Sequence, residues 1–214
     1  MINLNLNPGQ IAFLIIVPVI IIVAVILLIY FINRRKQMKK NFKLFYYKKI
    51  YKIAMDKDYY LINDFLFKID DSHVGRIDHI LFADKYIFVM NDFFYDGNII
   101  GKETDKSIIV VDKNGKKWYE ENPLALNRKL ISKLCLTTGI NQALIVGICV
   151  INSNCEFSIK LSSKSYYIIQ CNKLKALIKA IESREVGDIN KDQLASAVKS
   201  IDKMNRRNRS GERK

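Results

Sequence analysis

The chain has 214 residues, with 35 Lys and Arg against 21 Asp and Glu, a formal net charge of +14 at pH 7, and half of its residues are hydrophobic. Such an excess of positive charge disfavours a cationic partner and points to polyanions, nucleic acid or anionic lipid head groups, which reward clustered Lys and Arg by attraction and counterion release. The cysteines, Cys135, Cys149, Cys155 and Cys171, show no Cys-x-x-Cys spacing and sit mostly in apolar segments, which argues against a metal site or disulfide framework and for reduced core residues of a cytoplasmic domain.

Residues 11–32, IAFLIIVPVIIIVAVILLIYFI, hold no charged or strongly polar side chain. At about 1.5 Å per residue a helix of that length reaches roughly 33 Å, enough for a hydrocarbon core of about 30 Å. In lipid, one segment satisfies its own backbone only as a helix. Pro18 removes one amide and is expected to bend it. A cleaved signal would want a positive leading region and a shorter apolar core, and a soluble core helix would not be apolar on every face. The run therefore reads as an uncleaved single-pass anchor behind a short extracytoplasmic segment, residues 1–10. Residues 1–33 carry no charged side chain, while Arg34, Arg35, Lys36, Lys39, Lys40 and Lys43 follow closely. The positive-inside rule then places the amino terminus outside the cell membrane and the body in the cytoplasm, and the same cluster suits anionic lipid.

Beyond the anchor about 180 residues remain, enough for one domain with its own core. Phe42, Phe45, Ile50 and Ile53 recur near helical spacing and predict a basic juxtamembrane helix over 33–55. YYLINDFLFKI, GRIDHILFA and KYIFVMN then read as consecutive strands of one sheet, and Asn114-Gly115 within SIIVVDKNGKKWY as a hairpin turn. From Pro123 the pattern turns helical through Cys135, with Asn122-Pro123 as its start and Gly139 as its stop. ALIVGICVI is a continuous apolar run, as in a strand covered on both faces. YYIIQ gives another strand and KLKALIKAIES a helix, closing an α/β domain over 56–186 with a mixed sheet flanked by helices. A last helix over 187–204 has Asn190 and Gln193 at capping-box spacing, and a basic tail over 205–214, with Arg206, Arg207 and Arg209, is expected to be disordered and open to nucleic acid.

The succession YYLINDFLF, GRIDHILFADKYIFVMNDFFYDGNIIG, Trp118 and NPLALNRKLISKL resembles the nuclease-related domain (NERD) family, related to the PD-(D/E)xK nucleases. The resemblance implies a restriction-endonuclease-like fold and metal-assisted phosphodiester cleavage, with carboxylates holding Mg²⁺ or Mn²⁺ and a Lys positioning water. Asp78, in Arg76-Ile77-Asp78-His79, fits the family's first strand carboxylate. In the next strand the family's Glu-x-Lys becomes Asn91 and Phe93, no Glu precedes Glu103, and Leu126 stands where the following helix commonly carries a Gln.

Asp92 could replace the missing Glu only by abandoning strand alternation, so Asp92 and Asp96 read as solvated loop ends. His79 reads as a packed or surface residue without an identifiable partner, and Trp118 as packing against the sheet. The expected protein is a membrane-tethered, catalytically degenerate nuclease-like domain that binds nucleic acid or another polyanion. Two alternatives stand beside it: an active nuclease with migrated ligands, and a non-enzymatic membrane adaptor whose charge serves lipid contact.

Overall fold

A computed structural model describes residues 8–68 and 74–211, and the chain divides into two compact units, residues 1–42 and 43–214. In the first unit one helix, α1, runs Pro8–Lys40 with Pro18 inside it. Its stretch Phe13–Arg34 has a mean hydropathy of 3.5 with none of it buried, so among the described residues one helix is long and apolar enough to cross a membrane. The apolar side chains point outward around the whole circumference, from Phe13 to Ile32, a distribution that suits lipid and not water.

The chain turns at Asn41, and α2 follows over Phe42–Lys57. The expected juxtamembrane helix is thus broken at Asn41, and its second part buries Tyr46, Ile50, Ile53 and Ala54 while Phe45 stays exposed. Next come β1 (Tyr60–Lys68), β2 (Val74–Phe82), β3 (Ile87–Asp92), β4 (Asn98–Lys102), β5 (Ser107–Val111), β6 (Lys117–Glu121) and α3 (Pro123–Thr138). The chain continues through β7 (Ile145–Ile151), β8 (Phe157–Lys160), β9 (Tyr166–Gln170), α4 (Leu174–Glu182) and α5 (Lys191–Gly211).

Five strands form the central sheet in the order β1-β2-β3-β7-β9, antiparallel across β1, β2 and β3 and parallel from β3 through β7 to β9. The three strands expected as neighbours of one sheet are its β1, β2 and β3, and a second sheet, β6-β5-β4-β8, holds four more. Because β7 pairs along β3 from Ile87 to Asp92, that edge of β3 is closed to β4. The chain leaves through Gly97, where an added Cβ would lie 2.2 Å from the Val111 carbonyl oxygen. Only glycine permits that approach.

Every residue of β7 is buried, as its uninterrupted apolar run requires. On one side of the central sheet Ile80, Val89, Ile145 and Cys149 pack with Leu124, Leu130, Ile131 and Leu134 of α3 and Ile201 of α5. The alternate positions Phe88, Met90, Ile148 and Val150 are buried facing the other way, the side on which α2 and α4 bury Ile50, Ile53, Leu174, Ile178 and Ile181. Lys175 of α4 joins Asp56 of α2 at 2.7 Å.

The local signals act as their chemistry dictates. The Asn122 side chain accepts the Leu124 amide at the start of α3, Pro123 occupies the first turn, and Gly139 ends the helix at φ 73°. Gly115 turns the β5–β6 hairpin at φ 80°. Asn190 caps α5 by accepting the Asp192 amide at 2.8 Å. That helix runs on to Gly211 instead of ending at Met204, so the expected disordered tail is helical as far as Gly211. All four cysteines are free, three of them buried.

Candidate functional site

The β2–β3 ladder is paired from Phe82–Ile87 to His79–Met90, and beyond it side chains take over from the backbone. Asp78 Oδ2 accepts the Asp92 amide at 3.0 Å, and the Asn91 side-chain amide donates to the Arg76 carbonyl at 3.2 Å. Asp78 Oδ1 accepts from Lys43 Nζ of α2 at 2.8 Å and lies 3.3 Å from Arg76 Nε. The Asp78 side chain is 8% exposed, against 47% for Lys43 and 50% for Arg76. Arg76 also pairs with Asp64, whose φ of 53° is a left-handed conformation that Asp tolerates better than most side chains.

His79, expected to lack a partner, has two. Its Nδ1 lies 2.6 Å from Asn63 Oδ1 and its Nε2 2.9 Å from Asp92 Oδ2. Asp92 is not the solvated loop end that its type suggested: it closes β3 with its side chain fully buried, and its Oδ1 has no hydrogen-bond partner among the described residues. Burial pushes the Asp92 carboxyl above the usual range, and the opposing pull of His79 does not offset it. Tyr46 of α2 reaches the Phe93 carbonyl with its hydroxyl at 3.4 Å. Burial, with Cys171 and Asp92 nearby, pushes that phenol well above its ordinary value.

Asn91 and Phe93, expected at the positions of the family's Glu and Lys, have partners other than Asp78. Asn91 Oδ1 accepts from the Asn127 amide of α3 at 3.2 Å, and the same amide donates to the Val89 carbonyl at 3.3 Å. Asn127 fits only because β7 has Gly147, where an added Cβ would stand 2.4 Å from Asn127 Oδ1. Phe93 stacks on Tyr95 with ring centroids 6.3 Å apart and planes 10° apart. Alternation therefore holds, with Asn91 toward α3 and Asp92 toward His79. Leu126 packs half-buried against the core, and the polar residue of α3 at the sheet is its neighbour Asn127. A signal for Asn127 exists in the sequence: it interrupts the apolar stripe Leu124, Leu130, Ile131, Leu134 at positions three and four residues from its neighbours. Nothing in the spacing links Lys43, assigned above to lipid or nucleic acid, with Asp78.

These donors do not fit a divalent ion. Mg²⁺ demands near-octahedral oxygen ligands and keeps several waters. Here Asp78 is occupied on both oxygens by donors, two of them cationic, and Asp92 is buried against His79. Among the described residues no three His, Cys, Asp or Glu side chains form a group able to hold a metal ion.

Other polar groups hold the second sheet to α3. Asn122, fully buried, donates to the carbonyls of Lys102 at 3.0 Å, Glu103 at 3.4 Å and Asp105 at 2.7 Å. The buried Glu103 pairs with Arg128 and accepts the Ser162 and Ser163 amides at 2.7 and 3.0 Å. Burial raises its carboxyl, but those amides, the Ser162 hydroxyl and Arg128 outweigh that and leave it below the usual range. Trp118 lies half-buried against the core with its indole N–H on Glu120 at 2.7 Å. Asp96 is exposed.

Of the expected binding cations, Arg34, Lys36, Lys39 and Lys40 are exposed on α1, and Lys43 is engaged with Asp78. The side chains of Arg35, Arg206, Arg207 and Arg209 lie outside the described residues.

The nuclease-related domain family matches residues 37–152, from the end of α1 through β7. No curated protein and no solved structure matches the chain. With more than half of its length matched and an α/β fold of mixed sheets flanked by helices, the chain belongs to the nuclease-related domain (NERD) family.

Proposed function

We propose that this protein is anchored by α1 in the cell membrane, carries its NERD domain in the cytoplasm, and binds nucleic acid there without metal-dependent cleavage. The observation that carries this reading is the state of Asp78: its oxygens are taken by Lys43, Arg76 and the Asp92 amide, while Asn91 and Phe93 stand where a ligand and a water-positioning Lys are needed. The net charge of +14 supports a polyanionic partner, since phosphate neutralisation by Lys and Arg drives sequence-independent binding. The absence of charged side chains before Arg34 and the basic cluster after it support the orientation. Anionic lipid at the juxtamembrane cations fits the same chemistry.

The test is fluorescence anisotropy of single-stranded DNA, duplex DNA and RNA with the full chain in zwitterionic detergent micelles, across a salt series. Binding whose logarithm falls linearly with the logarithm of salt supports the reading. Salt-independent or absent binding refutes it. Full competition by anionic liposomes favours the adaptor alternative.

A second reading, an active nuclease with migrated ligands, draws on one observation. Asp92 adjoins Asp78 and has an oxygen without a hydrogen-bond partner among the described residues. Plasmid cleavage with Mg²⁺ or Mn²⁺ that is lost in Asp78→Ala would establish it.

A further inference from the structure

We propose that the Lys43 ammonium is the resident cation of this site, occupying the place on Asp78 where a divalent ion would bind and making the site independent of metal. This inference does not depend on what the basic surface binds. A carboxylate as buried as Asp78, at 8% exposure, needs a compensating charge and filled lone pairs. It has both without a metal. Lys43 Nζ sits on Oδ1 at 2.8 Å with Arg76 Nε beside it at 3.3 Å, and Oδ2 takes the Asp92 amide at 3.0 Å.

Charge balance closes locally. Arg76 is shared between Asp78 and Asp64, so Lys43 supplies the positive charge that Arg76 divides. Behind Asp78, the buried Asp92 lies 2.9 Å from His79 Nε2 through its Oδ2. A divalent ion on Asp78 would stand beside two cations, with no third carboxylate grouped there among the described residues. Asn91 is committed to Asn127 and Phe93 to Tyr95, so neither can complete a ligand set.

The arrangement also accounts for Asp78 without catalysis. Its Oδ2 holds the amide of Asp92 just past the last paired residues of the β2–β3 ladder, which ties β2 to the end of β3. Its Oδ1 pins the start of α2 to β2. Lys43 is a positioning residue: it fixes and neutralises Asp78.

Two measurements on the full chain in detergent micelles test this. In the first, Mn²⁺ is titrated against the native protein and against Asp78→Asn, with free aqueous Mn²⁺ read by electron paramagnetic resonance. The expected result is no binding that depends on Asp78. In the second, thermal midpoints are compared for the native protein, Lys43→Met, Asp78→Asn and the double variant. Lys43→Met should lower the midpoint by about 4–8 °C, and adding Asp78→Asn should recover at least half of that loss, because the stranded carboxylate is gone. Saturable Mn²⁺ binding that disappears in Asp78→Asn overturns the proposal, and so do additive effects of the two substitutions. The Mn²⁺ titration of the native protein decides even if Lys43→Met does not fold.

Discussion

Asp92 and Glu103 are both buried carboxylates, and their surroundings drive them in opposite directions. Glu103 accepts two backbone amides, a hydroxyl and Arg128, so its charged form is favoured. Asp92 has one ring nitrogen on one oxygen and no hydrogen bond on the other among the described residues, so burial wins and its carboxyl is raised. The two signs give two predictions. A raised acid contributes stability at low pH that is lost as pH rises through its folded value. Asp92→Asn keeps the neutral form at all pH, so its urea midpoint should gain on the native one as pH rises above about 4, the ordinary carboxyl value. A lowered acid contributes stability above its unfolded value that is lost as pH falls through its folded one. Glu103→Gln should therefore cost about 1.5–3 kcal/mol at neutral pH, a deficit that shrinks on acidification. Asp78, Asn91 and Phe93 were singled out as candidates because they sit in one short stretch of sequence. The partners were not: Lys43, Asn63 and Asn127 lie 35, 16 and 36 residues from the groups they touch, and no local pattern encodes such pairings.

Elements were readable where the chain's own chemistry decides them. Asn122-Pro123, Gly139 and Asn114-Gly115 act through their own backbones, and the apolar run of β7 follows from burial on both faces. Pairing partners were not readable. The short β4 and β8 form a parallel pair, and alternation within a strand says nothing about which neighbour it will find. The end of α5 was misplaced because composition suggested disorder after Met204, whereas the helix continues to Gly211. Two substitutions test this packing. Asn122→Ala removes a helix cap and strands three carbonyls, and should cost about 2–4 kcal/mol in chemical denaturation. Gly147→Ala places a methyl 2.4 Å from Asn127 Oδ1 and 2.8 Å from Ile131 Cδ1, and should cost about 1–3 kcal/mol by overpacking α3 against β7.

At the scale of the whole molecule, an apolar helix with outward-facing side chains and a basic α/β domain share one chain. The composition made both visible, because hydropathy and charge are sums that need no tertiary contacts. Anchoring predicts that the full chain stays in the membrane pellet through alkaline carbonate extraction and leaves it only with detergent, whereas release by carbonate alone would contradict it. Binding without metal-dependent cleavage is checked by incubating end-labelled duplex DNA with the full chain in micelles and Mn²⁺, then resolving the products on native and denaturing gels. The expected result is retarded DNA on the native gel, released by added salt, and intact strands on the denaturing gel. Strands cut by the native protein and left whole by Asp78→Asn would contradict it.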